Sequence, residues 1–550
     1  MARHVLLLSG AISSGKSTLA RGLADRFGAV HIRSRQLLLA RLPDIHEERA
    51  DLQTAGASLD AATNGRWVAE DVSAAAVTQS DDVILVVDAI RIPAQISAFR
   101  EIFGPRVVHI HLLAPDTALE TRYRERKGTT VEFASHADAS KDPTEAAVGT
   151  LASLADVVID TGLCTEEDVL VRAASQLGYY SRSYARLVDV LVGGQWGSEG
   201  KGHIASFLAP EYQMLVRVGG PNAGHKVFER EGEFTFHQLP SGCRTNLSAY
   251  VLIAPGAVVN AARLVTEIRN AQVEATRIAI DPNAMVIDRR DAAFEDRTLK
   301  RWIASTAQGV GAATARRLMR GALGPGLFRP RALQIVTLAR DVKELKPWVR
   351  ETRPLLDDAF NRGERVFVEG TQGTGLSLYH GDYPHVTSRD TTVAGCLSEA
   401  GIAPTRIRKI VMVVRTYPIR VGDPEGSPGM TSGPMGRELS MEEVGNRSGL
   451  DPDRLRERER TSTTNRPRRI AEFSWAQLRR SASLNGPTDI ALTFADYLAA
   501  SNREARRLDQ LTRETILFIQ EVERVAAAPV SLISTRFDLP YRSIIDRRAW

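Results

Sequence analysis

At roughly 150 residues per domain, a chain of 550 residues has room for two to four domains. Its 43% hydrophobic and 25% charged residues, with 42 Gly and 25 Pro, describe folded globular protein and exclude fibrous and disordered classes. Lys and Arg number 71 against 66 Asp and Glu, a surplus of five that admits anionic ligands without predicting direct nucleic-acid binding. Cys164, Cys243 and Cys396 are too scattered for a zinc site or a disulfide framework. With no apolar run near the ~18 residues of a membrane span, and no secretory signal in MARHVLLLSG, the expected setting is cytoplasmic.

The first predicted element is a buried strand, HVLLLSG, which runs into GAISSGKS (residues 10–17) and then an amphipathic helix. That octapeptide fits the phosphate-loop spacing GxxxxGK[ST]. Gly10 and Gly15 let backbone N–H groups curl around phosphates, Lys16 reaches the terminal phosphates, and the hydroxyl of Ser17, followed by Thr18, suits magnesium. A second buried strand within DDVILVVDAIRIP (81–93) ends at Asp88, a carboxylate for magnesium, for an acceptor, or for a plain strand-end cap. RVVHIHLLAP is a third strand. It leads into ETRYRERKG, where Arg122, Arg124 and Arg126 project at helical spacing, toward phosphates or as a solvated face. ADVVIDTG (155–162) closes the series. Residues 4–165 resemble the nucleoside-monophosphate kinase and dephospho-coenzyme A kinase branch of the P-loop kinases, and the resemblance leaves the acceptor unnamed.

Periodicity breaks between Gly178 and Arg186, the expected linker. The boundary near residue 185 gives a kinase-like unit over 1–180 and a second unit over 186–550.

A second strand then meets a glycine-rich turn, LVDVLVGG followed by QWGSEGKG, and further blocks follow in order: GGPNAGH (219–225), FHQLPSG (236–242), STAQGVGAATARR (305–317), VEGTQGTGLSLYHGDYPHVTS (368–388) and TSTTNRPRR (461–469). With GGQWGSEGKG (193–202) in front, this series resembles adenylosuccinate synthetase along essentially all of residues 189–550. The resemblance implies a larger α/β domain beside the kinase-like parallel sheet. It also implies an enzyme that uses GTP and Mg2+ to activate the 6-oxo group of IMP and then couples L-aspartate to carbon 6. The chemistry suits the residues: a 6-oxo purine is a poor electrophile, phosphorylation creates a leaving group, and a loop of backbone donors with a lysine stabilises the charge that builds on the phosphoryl oxygens.

By resemblance, Gly197, Glu199, Gly200, Lys201 and Gly202 hold the donor phosphates. His225 is general acid, and Gly224 through its carbonyl and position 198 hold magnesium. Asn222, Thr306, Gln372 and Thr387 hold the purine nucleotide, with Gln372 also at the reacting centre. Thr463, Thr464, Arg466 and Arg468 capture aspartate, since arginine forks match planar carboxylates. Arg320 lines up with the arginine that reaches a neighbouring subunit's nucleotide, which implies a homodimer; Arg316 and Arg317 are near enough for a shifted alignment.

Two departures matter. Ser198 stands where typical synthetases have aspartate, which takes the purine's ring proton. A hydroxyl is no base near neutral pH, so the expectation divides three ways: an inactive, nucleotide-sensing copy; ordinary synthesis from IMP with another base; or a changed purine. The third is preferred, because a hydroxyl leaves room for guanine's 2-amino group and still accepts a hydrogen bond. Serine here, with STAQGVG, also resembles the phage branch that makes 2-aminoadenylosuccinate from dGMP. In the donor-base segment LTFADYL keeps Asp496 but has Phe494 where the family has lysine, and STRFD, with Ser534, replaces STGPD. ATP or dATP therefore joins GTP as a candidate donor.

Overall fold

The computed structural model describes every residue except 1–3, 46–47, 80–82, 126–135, 181–184, 230–231, 321–335, 424–431, 463–464, 537 and 539–542. The chain divides into two compact units, Met1–Arg182 and Ser183–Trp550. Residues 181–184 of the expected linker lie outside the described residues. No described helix is long and apolar enough to cross a membrane.

The first unit is built on a parallel sheet of β1 (His4–Gly10), β2 (Val30–Arg33), β3 (Ile84–Asp88), β4 (Val107–Leu113) and β5 (Val157–Asp160), ordered β2-β3-β1-β4-β5. Alternation along β1 buries both faces. Val5 and Leu7 pack with Leu85, Val87 and the helices Arg66–Ala76 and Pro93–Phe103, whereas Leu6 and Leu8 pack with Ile110, Leu112 and the helices Lys16–Phe27 and Glu166–Gln176. Strands covered on both sides read as continuous apolar runs, which is why β1, β3 and β4 stood out in the sequence, with ADVVIDTG recognised as the strand that closes the series. VHIR, with only its neighbours' support, did not.

The second unit carries a nine-stranded sheet. In chain order its strands are β6 (Val188–Gly193), β7 (Met214–Arg217), β8 (Tyr250–Ile253), β9 (Ile278–Ile280), β10 (Val366–Glu369), β11 (Ile407–Arg415), β12 (Asp489–Thr493), β13 (Val530–Ser534) and β14 (Ile544–Asp546). Their spatial order is β9-β8-β7-β10-β6-β11-β12-β13-β14, parallel throughout except for the edge strand β14. β6 lies at the centre, with Val190 paired to Val368 on one side and to Ile410 on the other. Val190 and Val192 bury toward the helices Trp475–Asn485 and Arg513–Ala526, and Leu191 buries toward the helix Lys201–Leu208. Chain order reverses around β6, so the glycine loop leaves the sheet at a topological switch point, where open parallel sheets bind ligands.

Candidate active site

In the first unit the phosphate loop closes over the carboxyl end of β1. Gly10 has φ 136°, and a Cβ there would lie 2.3 Å from the Leu112 carbonyl oxygen, so only glycine fits. The hydroxyls of Ser13 and Ser14 are buried and have no hydrogen-bond partner among the described residues. Lys16 Nζ donates to the carbonyls of Gly10 (2.7 Å) and Ala11 (2.8 Å). Gly15 precedes the helix at φ 101°, and Thr18 is half-buried one position beyond Ser17. Ser17 Oγ donates to Asp88 Oδ2 (2.7 Å), which also meets His31 Nε2 (3.2 Å). Burial works to raise the Asp88 carboxyl, but His31, Lys16 and Ser17 outweigh it and hold the group below the usual carboxylate range. The hydroxyl and ionised carboxylate are hard oxygen donors that fit magnesium, and the unpartnered hydroxyls fit a phosphate.

The arginine run behaves differently. Arg122 donates to Thr161 Oγ1 (2.9 Å) and to the Thr161 carbonyl (3.0 Å). Arg124 is 69% exposed beside Glu120, a solvated face, and Arg126 lies outside the described residues.

The second glycine loop wraps around a carboxylate. Glu199 is fully buried; its Oε1 accepts from the backbone N–H of Gln195 (3.1 Å) and Gly197 (2.8 Å), and its Oε2 accepts from Lys201 Nζ (2.5 Å). Gly200 has φ 86° and caps the helix that Lys201 opens. Gly202 permits close packing: a Cβ would lie 2.8 Å from that of His225. Ser198 is exposed and at φ 55°, left-handed backbone that aspartate adopts more readily than serine. Gln372, Asn465 and Phe494 share this conformation. Such strain concentrates where function demands it.

His225 opens the hairpin strand His225–Glu229, and its Nδ1–H donates to Glu369 Oε1 (2.5 Å) at the end of β10. The same carboxylate accepts from Arg217, from Ser241 Oγ (2.5 Å) and from the Ser241 backbone N–H (2.7 Å). Burial opposes the ionised Glu369, yet Arg217 and His225 hold its carboxyl down at about 2. Burial, with Arg217 beside it, pushes the His225 imidazole down to about 3, so the ring is neutral and its tautomer is fixed by Glu369. Neither Glu369 nor Arg217 was singled out from the sequence, although Glu369 stands inside the VEGTQG block.

The remaining segments join the PNAGH turn or one another. Gln372 Nε2 donates to Asn222 Oδ1 (2.8 Å). Ser462 Oγ donates to the Gly224 carbonyl (3.1 Å), and Arg466 donates to the carbonyls of Ala304 (3.0 Å) and Ser305 (3.4 Å), next to Thr306. The TSTTNRPRR loop thereby touches both the PNAGH and STAQG segments; Thr463 and Thr464 themselves lie outside the described residues. Thr387 is held by its N–H on Leu376 (2.8 Å). The Gly224 carbonyl and the Ser198 hydroxyl are oxygen donors that fit magnesium.

Arg316 is buried against Asp291 (2.5 Å) and Arg317 donates to the Pro255 and Asn283 carbonyls, so both have local structural work. Arg320 is exposed at the end of the same helix.

In the donor-base segment Thr493 Oγ1 donates to the Glu199 carbonyl (2.7 Å), and Ser534 Oγ donates to the Arg536 carbonyl (3.0 Å). Asp496 Oδ2 accepts from Arg503 (3.2 Å), while Oδ1 is buried without a partner among the described residues. Burial pushes this carboxyl up to about 6.

Known proteins match the same two regions. The adenylosuccinate synthetase family model matches residues 190–326 and 331–503, and an AAA domain model matches residues 5–154. The adenylosuccinate synthetase of Thermococcus onnurineus (strain NA1) is 36% identical over 374 residues, covering 65% of this chain and 98% of that protein. Among solved structures, the succinoaminodeoxyadenylate synthetase of cyanophage S-2L, bound to dGMP and to dATP as an energy donor, is 28% identical. The two superpose with a TM-score of 0.53 over 66% of this chain and 96% of that one. Fully ligated adenylosuccinate synthetase from Plasmodium falciparum, at 21% identity and a TM-score of 0.55 over 66% and 100%, shares the fold.

Proposed function

This chain belongs to the adenylosuccinate synthetase family, with a P-loop kinase-like unit in front, and on that premise we propose that it ligates aspartate to a guanine-type nucleotide. The purine is GMP or dGMP ahead of IMP, and the donor is ATP or dATP ahead of GTP. The observation that carries this reading is Ser198: a short hydroxyl in left-handed backbone, beside an otherwise intact Glu199–Lys201 loop and His225–Glu369 pair. A carboxylate there would meet guanine's 2-amino side, whereas the hydroxyl leaves space and an acceptor. The likeness to a cyanophage enzyme bound to dGMP and dATP supports both choices.

In this reading the purine 6-oxygen attacks the donor's γ-phosphorus, the β–γ bridging bond breaks to release the nucleoside diphosphate, the purine's N1 proton passes to solvent water beside exposed Ser198, and a 6-phosphoryl purine forms. The aspartate amine then adds at carbon 6, and inorganic phosphate leaves with the former 6-oxygen. The Gly197–Gly202 backbone and Lys201, released from Glu199, receive the phosphates. His225, its Nδ1–H held by Glu369, turns Nε2 to the phosphoryl oxygen and donates from it once the ring is protonated beside the incoming phosphates. Asn222 and Gln372 orient the purine with Thr306 and Thr387. Thr463, Thr464, Arg466 and Arg468 receive aspartate, and Asp496 accepts from the donor base's amino group. Magnesium, when bound, neutralises charge on the donor phosphates, with Gly224 and Ser198 as its ligands here and Ser17 with Asp88 in the first unit.

The first unit transfers phosphate to a nucleotide of the same pathway, and exposed Arg320 reaches the nucleotide of a second copy in a homodimer. A second reading, synthesis from IMP with GTP, is favoured by the 36% identity to the Thermococcus protein.

The test incubates the protein with magnesium, aspartate and a mixture of GTP, ATP and dATP, adding IMP, dIMP, GMP or dGMP separately. Mass spectrometry reads the succinylated product. Product from GMP or dGMP alone is expected. Product from IMP alone selects the second reading, and nucleotide binding without any product leaves a sensor.

A further inference from the structure

One largely buried ionic cluster touches three of the segments assigned to substrates. Glu459 ends the helix Pro452–Arg458 and is 2% exposed. Its Oε1 accepts from Arg415 (2.5 Å) and from the Tyr497 hydroxyl (2.8 Å), and its Oε2 accepts from Arg468 (3.2 Å). The Arg415 guanidinium lies 4.0 Å from the centroid of the Phe494 ring and donates to the Ser198 carbonyl (3.4 Å). Glu459 also closes the base of the TSTTNRPRR loop through its backbone, since the Arg468 N–H donates to the Glu459 carbonyl (2.9 Å) and Arg460 bridges to Pro467. Phe494 and Tyr497 flank Asp496 in the donor-base segment.

We propose that Glu459 is a positioning residue for aspartate capture, holding Arg468 at the loop base ready for a dicarboxylate. The proposal rests on the reading of this unit as an aspartate ligase. Two guanidinium groups share one carboxylate, so the cluster keeps a net positive charge for the incoming anion. Arg468 Nε–H is buried and has no acceptor among the described residues, which leaves a donor for that anion. The rotamer entropy of a long arginine is thus lost in the fold rather than on binding. Burial opposes the ionised Glu459, but Arg415 and Arg468 outweigh it and keep its carboxyl at about 2. With a neutral amide in its place, Arg415 and Arg468 face each other uncompensated in a low-dielectric interior, and Arg468 must move. Neither Arg415 nor Glu459 need touch substrate for this effect.

The experiment compares steady-state kinetics of the full chain with Glu459→Gln, Glu459→Asp and Tyr497→Phe, with folding checked by circular dichroism. Glu459→Gln is expected to raise the aspartate KM at least about tenfold, with kcat at saturating aspartate within about threefold and nucleotide Kd values within about twofold. Glu459→Asp, which keeps the charge, restores part of the aspartate KM. Tyr497→Phe removes one donor and raises it about two- to fivefold, a readout that survives if Glu459→Gln fails to fold. An unchanged aspartate KM in folded Glu459→Gln, or in Tyr497→Phe where the former does not fold, overturns the proposal alone. Equal losses in every parameter also overturn it. A parent chain that makes no aspartate-dependent product from any purine monophosphate overturns the functional reading and the proposal together.

Discussion

In the proposed reaction, single atoms of Ser198 and Asp496 carry substrate choice. Ser198 sits at φ 55°, a conformation that tolerates aspartate, so Ser198→Asp keeps the loop and replaces the group that faces the purine with a carboxylate that can still hold magnesium. Its kcat/KM for dGMP is expected to fall at least about tenfold while that for IMP rises, measured by phosphate release. Equal changes for both purines would remove Ser198 from the specificity argument. Asp496 carries its own test through pH. Its carboxyl is pushed up to about 6 by burial, and an amino group donating to Oδ1 favours the ionised form. Donor affinity is therefore flat above pH 6 and falls as pH drops through it, approaching about tenfold per unit. Calorimetric titration from pH 5 to 8 should show this slope in the parent and its loss in Asp496→Asn.

The functional side chains come from strand ends and the loops that follow them. β6 feeds the glycine loop, β7 the PNAGH turn, β10 Glu369 and Gln372, β11 Arg415, and β12 the donor-base segment. Of these strands only β6 was read as one, from the apolar run LVDVLVGG, while several of the loops stood out as motif blocks, because phosphate contacts demand particular residues at fixed spacing. Partnerships across the sheet were not legible. His225 and Glu369 are 144 residues apart, Arg415 stands in a segment with no motif around it, and Glu459 falls just outside the TSTTNRPRR block. Register between distant strands, set by packing of Val190 with Val368, brings such pairs together, and no local pattern carries it. Arg316 and Arg317 illustrate the converse: equal candidates in sequence, both taken by local contacts in the fold. The His225–Glu369 pair predicts that Glu369→Gln lowers kcat about 10- to 100-fold with little change in nucleotide Kd, because the amide no longer fixes the imidazole tautomer. Stopped-flow phosphate release checks this, and an unchanged kcat would detach Glu369 from the reaction.

At the scale of the molecule, two nucleotide-binding units share one chain, each with its own parallel sheet and buried core. The fold class of both was readable from their phosphate loops, whereas the acceptor of the first unit was not, since no residue pattern there names a substrate. A chain beginning at residue 183 is expected to fold and to keep aspartate-dependent turnover within about threefold of the full chain. Loss of turnover in a folded truncation would make the first unit part of the ligase. The central claim is that aspartate replaces the 6-oxygen of a guanine nucleotide by way of a 6-phosphoryl purine. It is tested most directly with dGMP labelled with 18O at the 6-position, in the presence of ATP and aspartate. The account predicts one labelled oxygen in the released inorganic phosphate for each succinylated nucleotide formed. Unlabelled phosphate, or phosphate released without succinylated product, would contradict it.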